Sequence, residues 1–145
     1  MADEGSSLLE LAGRFPSPAA LLNVGVDVIE VDRVQKVYER QKDRFLKRVY
    51  TQEEVDYCFD KSNPFPHLAA RFAAKEAVSK AFSTGIGKLF GWTSASVYHD
   101  PRMQPLIRLD HQGKKLLEVL GGTDVRITLS HTKGTAVAVA ILVKV

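Results

Sequence analysis

A single cysteine, Cys58, occurs in 145 residues, so no internal disulfide can form and packing alone must hold the fold. Its expected role is that of a small, partly buried hydrophobe rather than a nucleophile. Long apolar runs are also missing. The longest, Ala136 to Val143, is far short of the ~20 residues needed to span a bilayer. The first residues carry Asp3 and Glu4 where a secretory signal would carry basic residues. These absences together suit a protein of the reducing cytoplasm. No internal repeat or low-complexity tract is visible. The six prolines fall in three pairs, Pro16/Pro18, Pro64/Pro66 and Pro101/Pro105, each marking a break between structured segments.

Hydrophobic residues make up 45% of the chain and charged ones 26%, as in an ordinary globular protein. A chain of this length forms one domain and buries about 68–70% of its unfolded surface. The net charge of +3 is unevenly spread. Arg33, Lys36, Arg40, Lys42, Arg44, Lys47 and Arg48 face only Glu39 and Asp43 across residues 33–48, so this stretch is strongly basic and the rest slightly acidic. Such a stretch suits an acidic partner surface or phosphates, or is simply a solvated helix face.

Val24, Val26 and Val28 alternate with Gly25 and Asp27, which predicts a strand over 23–29. Val34, Val37 and Tyr38 recur at helical spacing and predict one helix from Asp32 to Val49. Thr51-Gln52-Glu53-Glu54 reads as a capping box opening a helix through about Phe59. His67 to Ser83, rich in Ala, Leu, Lys and Glu and without Gly or Pro, predicts the clearest helix, ended by Thr84-Gly85-Ile86-Gly87. Strands are expected near 93–99 and 105–110 around a turn at 100–104. A short helix over 113–120 closes on Gly121-Gly122, and a hairpin pairs 124–130 with 135–143. Residues 1–22 read as an N-terminal extension, in which Leu8, Leu9, Leu11 and Ala12 suggest a short helix stopped near Pro16. Residues 23–145 form the domain. Strands and helices mix without regular alternation, so the fold class is α+β.

Three places carry chemistry-bearing residues. Asp27 is a carboxylate at a strand centre and needs a partner, commonly an arginine, otherwise a metal ion. Glu76, Lys80 and Ser83 share one face of the long helix. Glu76 and Lys80 are an ordinary surface pair at this spacing. With the following glycine turn they also offer a metal ligand, a point charge and backbone N–H groups for a phosphate. Ser130-His131-Thr132-Lys133, at the hairpin turn, sets a histidine beside a hydroxyl and a lysine, suited to an anion.

In order along the chain, Gly25 to Arg33, Arg71 to Lys80 and Ile127 to Lys133 closely resemble the three motifs of holo-acyl-carrier-protein synthases, single-copy members of the 4′-phosphopantetheinyl transferases. The likeness covers about residues 23–143 and leaves 1–22 aside. It implies a small antiparallel sheet with packed helices and one copy of the fold per chain. It also implies Mg²⁺-dependent transfer of phosphopantetheine from coenzyme A to a serine of acyl carrier protein, in fatty acid biosynthesis. By the same resemblance, Asp27 and Glu76 are the Mg²⁺ ligands, consistent with a cation that takes one or two carboxylates plus substrate phosphates. Arg71, Lys80, Ser83, Gly85, His131 and Thr132 match coenzyme A-binding positions. Arg33, Arg40 and Arg44 match the helix that meets the acidic carrier. Asp27, Glu76 and Lys80 form the catalytic group, with Glu76 the candidate base. Ser83 stands where the family usually has glycine, and Met103-Gln104-Pro105 replaces a Gly-Lys-Pro turn.

Larger phosphopantetheinyl transferases contain two copies of this unit with the site between them. The resemblance here is to the trimeric type and implies a homotrimer with sites at subunit interfaces. One rival reading is a non-enzymatic nucleic-acid-binding module using residues 33–48. That stretch holds only two aromatics, Tyr38 and Phe45, and matches no binding motif. A second is a transferase domain serving a synthase subunit within a larger complex, which residues 1–22 keep open.

Overall fold

The computed structural model describes Glu10 and residues 18–145. The short helix expected around Leu8 and Ala12 lies, apart from Glu10, outside the described residues. The chain runs β1 (Ala20–Glu30), α1 (Val31–Gln41), α2 (Asp43–Val49), α3 (Gln52–Phe59) and α4 (Phe65–Ala81). It continues through β2 (Ala95–His99), β3 (Pro105–Leu109), α5 (His111–Val119), β4 (Asp124–His131) and β5 (Thr135–Lys144). Strands β1, β5 and β4 form an antiparallel sheet with β5 central, and β2 and β3 form a separate hairpin. The α+β expectation is met.

Helix α4 crosses the sheet on an alanine face. Ala69, Ala70, Ala73, Ala74, Ala77 and Ala81 are all buried, against Ala136, Ala138 and Ala140 of β5. Small side chains on both surfaces let backbone approach backbone. The closest approach is at Gly25, where a Cβ would lie 2.0 Å from the Ala77 carbonyl oxygen and 2.7 Å from the Ala81 nitrogen. Only glycine fits there.

The valines of β1 point the other way. Val24, Val26 and Val28 are 52%, 52% and 62% exposed, and they pair across the sheet with Ile141, Val139 and Val137 of β5. One sheet face is therefore packed under α4, while the opposite face presents two rows of β-branched apolar residues. Contiguous surfaces of this kind mark interaction sites.

The single helix expected over 32–49 is two. The break falls at Lys42, whose φ of 49° lies in the left-handed region. Its N–H caps α1 on the Tyr38 carbonyl, and α2 then turns Phe45, Leu46 and Val49 into the core. The burial of those three side chains overrides a local pattern that contains no Gly, Asn or Pro at the break.

The capping box at Thr51 forms as read, and its glutamate does more. Glu54 Oε1 accepts from the Thr51 N–H and lies 2.7 Å from Lys75 Nζ, while Oε2 accepts from the Val97 N–H. Lys75 also donates to the carbonyls of Trp92 and Ala95, at 2.9 and 2.6 Å, so three acceptors match its three protons. Both side chains are wholly buried. The pair ties α3, α4 and β2 together one residue before Glu76. Burial pulls the Lys75 pKa down, and Glu54 pulls it back up.

Candidate active site

Asp27 points from β1 toward α4, and the partner it finds is Lys80. Lys80 Nζ donates to Asp27 Oδ1 at 3.0 Å and to the Val26 carbonyl at 3.1 Å. The arginine expected as the common partner is not the one used. The sequence also pairs Lys80 with Glu76 one turn away, but the fold turns its ammonium to the strand instead. Asp27 is 18% exposed and Lys80 51%, so the pair lies where α4 meets the edge strand β1, with its lysine side toward solvent.

Glu76 stands beside this pair, half-buried. Burial raises its pKa first, the neighbouring Asp27 charge raises it further, and Lys80 and Arg33 oppose both. Two carboxylates held together in partial burial against their own repulsion form a site for a hard cation. Among the described residues no group of three or more His, Cys, Asp and Glu is arranged for a metal, so the protein offers two ligands here. That donor set fits Mg²⁺, which keeps waters and takes substrate phosphates. Arg33, at the start of α1, lies close enough to Glu76 to favour its charge.

The turn after α4 holds Ser83 and Gly85 with φ of 62° and 63°. Ser83 thus adopts a left-handed conformation, at a cost of roughly 1–2 kcal/mol. Its hydroxyl accepts from Asn23 Nδ2 at 3.2 Å, and the same amide holds the Ala81 carbonyl at 2.9 Å. The turn's amides are spent on closing the helix. Ser83 N–H bonds the Lys80 carbonyl, and those of Thr84 and Gly85 bond the Ser79 carbonyl. The expectation that this turn offers backbone N–H groups to a phosphate is corrected for these three residues, because the last carbonyls of α4 need them. The Thr84 hydroxyl is likewise spent, donating to the Gly85 carbonyl at 2.9 Å, so Lys80 and the Ser83 hydroxyl are the side-chain donors this turn keeps for an anion.

Arg71 and His131 lie elsewhere. Arg71 precedes Glu76 by five residues, roughly 140° around the helix. Asp27 is on the β1 edge of the sheet and His131 on the β4 edge, with β5 between. Arg71 and His131 line a cavity of about 240 Å³ with Tyr57, His67, His99 and Leu129. Thr132 is engaged in the hairpin turn, its hydroxyl accepting from the Thr135 N–H. One chain therefore assembles Asp27, Glu76, Lys80 and Ser83 in one place, and Arg71 and His131 in another. His67, His99 and Tyr57 were not read from the sequence as site residues. The only local hint was the four-residue spacing of His67 and Arg71 on one helix face.

Arg33, Arg40 and Arg44 are all exposed, as are the other four cations of 33–48. An open groove of about 680 Å³ runs past Arg33, Lys36 and Arg40, but Glu30, Asp32 and Glu39 share its lining. Cys58 is fully buried and its thiol is pushed up to about 11 by burial, which matches the expected inert role.

Fold and motif-bearing helix define a phosphopantetheinyl transferase, and a family model for the 4′-phosphopantetheinyl transferase superfamily matches residues 23–140. The holo-[acyl-carrier-protein] synthase of Chlamydia trachomatis is 49% identical over 121 residues, 83% of this chain and 98% of that protein. That of Chloroherpeton thalassium is 40% identical, again over 83% of this chain and 97% of its own length. The chain belongs to the holo-[acyl-carrier-protein] synthase family. Among solved structures, the synthase from Neisseria meningitidis superposes with a TM-score of 0.79 at 28% identity, covering 85% of this chain and 98% of that one. The Helicobacter pylori synthase, solved in complex with coenzyme A, gives 0.74 at 32% identity, over 82% and 98%.

Proposed function

We propose that this chain transfers the 4′-phosphopantetheine group of coenzyme A to a serine of an apo acyl carrier protein, with Mg²⁺ and release of 3′,5′-ADP, and so readies the carrier for fatty acid biosynthesis in the cytoplasm. The observation that carries the reading is the Asp27–Lys80 contact beside half-buried Glu76, on the helix that bears the family's middle motif. The serine oxygen attacks the β-phosphorus of coenzyme A. A new P–O bond forms, the bridging P–O bond breaks, and 3′,5′-ADP departs with the electron pair. Glu76 accepts the serine proton directly or through a water. Lys80 holds the pyrophosphate charge as the bond breaks. Asp27 and Glu76 would hold Mg²⁺, which would supply charge neutralisation for the phosphates. The test is the mass of apo carrier after incubation with coenzyme A and Mg²⁺. A gain of one phosphopantetheine is expected, and an unchanged mass refutes the assignment.

Arg71 and His131 contact coenzyme A as well, yet they lie across the sheet from Asp27. A homotrimer reconciles the two, with one copy's carboxylates meeting the next copy's Arg71 and His131 across the exposed valine face of β1. Light scattering should then give three times 16.0 kDa. A fully active monomer rules this out. The folded unit begins by Ala20 rather than at the expected residue 23, because Ala20 and Leu21 already pair with Lys144 and Val143 of β5.

Arg33, Arg40 and Arg44 dock the acidic carrier. The mixed signs of the neighbouring groove suit a protein surface better than a nucleic-acid backbone. Arg40→Glu and Arg44→Glu should each raise KM for apo carrier several-fold at low salt and blunt its salt dependence. KM for coenzyme A should hold. An unchanged carrier KM returns these side chains to ordinary solvated positions. Arg33 also lies close to Glu76, so its loss should lower kcat too.

A further inference from the structure

The cavity around Arg71 is built like an anion site, and three histidines surround it. Arg71 is 2% exposed and stacks its guanidinium 4.2 Å above the Tyr57 ring. One nitrogen donates to the His67 carbonyl at 3.3 Å, while its Nε and Nη2 find no acceptor among the described residues. A buried cation with open donors is costly unless a ligand supplies the acceptors. His99 is stacked on Tyr57 at 4.7 Å, and its buried Nδ1 finds no partner among the described residues. His67 sits edge-on to His131 at 5.4 Å and to Tyr57 at 6.1 Å.

Resting on the reading of the chain as a phosphopantetheinyl transferase, we propose that His67 and His99 take up protons when a phosphate of coenzyme A enters this cavity, making coenzyme A affinity pH-dependent.

The groups facing the two histidines come from every packed element. They are Tyr57 on α3, Lys61 in the loop after it, Arg71 on α4, Asp100 beyond β2 and His131 on β4. Only Asp100 is acidic, and its carboxylate already accepts from the N–H groups of Arg102 and Gln104. Without ligand, burial lowers both histidines below 6.5. His131, Arg71 and Lys61 push His67 down further, and Arg71 and Lys61 do the same to His99. Both rings are thus neutral near pH 7. A bound phosphate reverses the local field and favours the imidazolium. Affinity then rises as pH falls from the liganded pKa to the free one, and is flat outside that window. The phosphate's own second ionisation, near pH ~6, acts oppositely but equally in wild type and variants.

Coenzyme A is titrated calorimetrically into the full chain with Mg²⁺ at pH 6.5 in two buffers of different ionisation enthalpy, which counts protons taken up. We expect net uptake, reduced by more than half in His67→Gln/His99→Gln. Coenzyme A affinity should fall about ten-fold in that variant at pH 6.5, the equivalent of one pKa unit of linkage, and less at pH 8. Equal uptake in variant and wild type, with coenzyme A still bound, overturns the proposal and leaves the transferase reading standing. Failure of wild type to bind coenzyme A overturns both. If the double variant does not fold, histidine-ring NMR titration of the wild type decides. Coenzyme A should raise the midpoints of His67 and His99, and unmoved midpoints refute the linkage.

Discussion

Asp27→Ala and Glu76→Ala should each lower the rate of carrier modification about a thousand-fold or more, with the melting temperature unchanged or raised. The charge stabilisation assigned to this carboxylate pair and its cation is worth several kcal/mol of barrier, and each 1.36 kcal/mol is ten-fold in rate. Stability should not follow activity. The Asp27–Lys80 pair is half exposed on the lysine side, where such pairs contribute about 0–1 kcal/mol. Glu76 is under strain in the fold, since burial and Asp27 both raise its pKa. For a carboxyl raised in this way, the stability of its protonated form is present below the unfolded pKa and lost as pH rises through the folded one. At pH 7 the folded protein therefore carries an unfavourable charge at Glu76, and Glu76→Gln should melt no lower than wild type. Rate assays at saturating coenzyme A, paired with thermal melts, check both halves. Full activity in either alanine variant removes Asp27 and Glu76 from the chemistry. A large drop in melting temperature would make them structural instead.

How far this site could be read in advance depended on whether its signals were local. The capping box at Thr51, the alanine-rich α4 and the terminal hairpin each declare themselves locally, and all three form. Helix α4, however, runs Phe65–Ala81 rather than 67–83, so Ser83 lies in the turn and not on the helix face with Glu76 and Lys80. The valine alternation of β1 correctly marks a strand, but a period of two does not say which side is covered. Here Gly25, Asp27 and Ile29 face the helix while the valines stay open. The break at Lys42 is dictated by burial of Phe45, Leu46 and Val49, a tertiary effect with no local residue signal. Contacts over long sequence separations were invisible. Lys80 chooses Asp27, 53 residues away, over Glu76 on its own helix. Glu54 and Lys75 bury each other although each also has an ordinary local role. The histidines around Arg71 come from α4, β2 and β4 and meet only in the folded chain. Motif resemblance supplied Arg71 and His131 one by one, but it did not reveal that they lie across the sheet from the carboxylates.

Gly25→Ala should cost about 3 kcal/mol of stability and about a hundred-fold in kcat, although glycine at this position touches no substrate. The added methyl carbon would stand 2.0 Å from the Ala77 carbonyl oxygen, 2.7 Å from the Ala81 nitrogen and 3.0 Å from the Ala77 carbonyl carbon. Every one of these is backbone of α4, so no rotamer change relieves the overlap. Overpacking of side chains typically costs 1–3 kcal/mol, and a clash against helix backbone belongs at the upper end. For a chain of this size that is roughly a 10 °C fall in melting temperature. The helix must lift off β1 to fit the methyl, and it carries Glu76 and Lys80 with it. Asp27, two residues further along the strand, stays behind. The 3.0 Å Lys80–Asp27 contact then lengthens, and a misplacement of ~1 Å in a positioned site can cost 10²-fold. Assays are run well below the lowered melting temperature, so that nearly all the protein is folded and the loss in kcat reports geometry. Gly134→Ala is the control. Nothing lies within 4 Å of a Cβ there, so its melting temperature should match wild type. If Gly25→Ala melts and turns over like wild type, the close seating of α4 on β1 is not what brings the two carboxylates together.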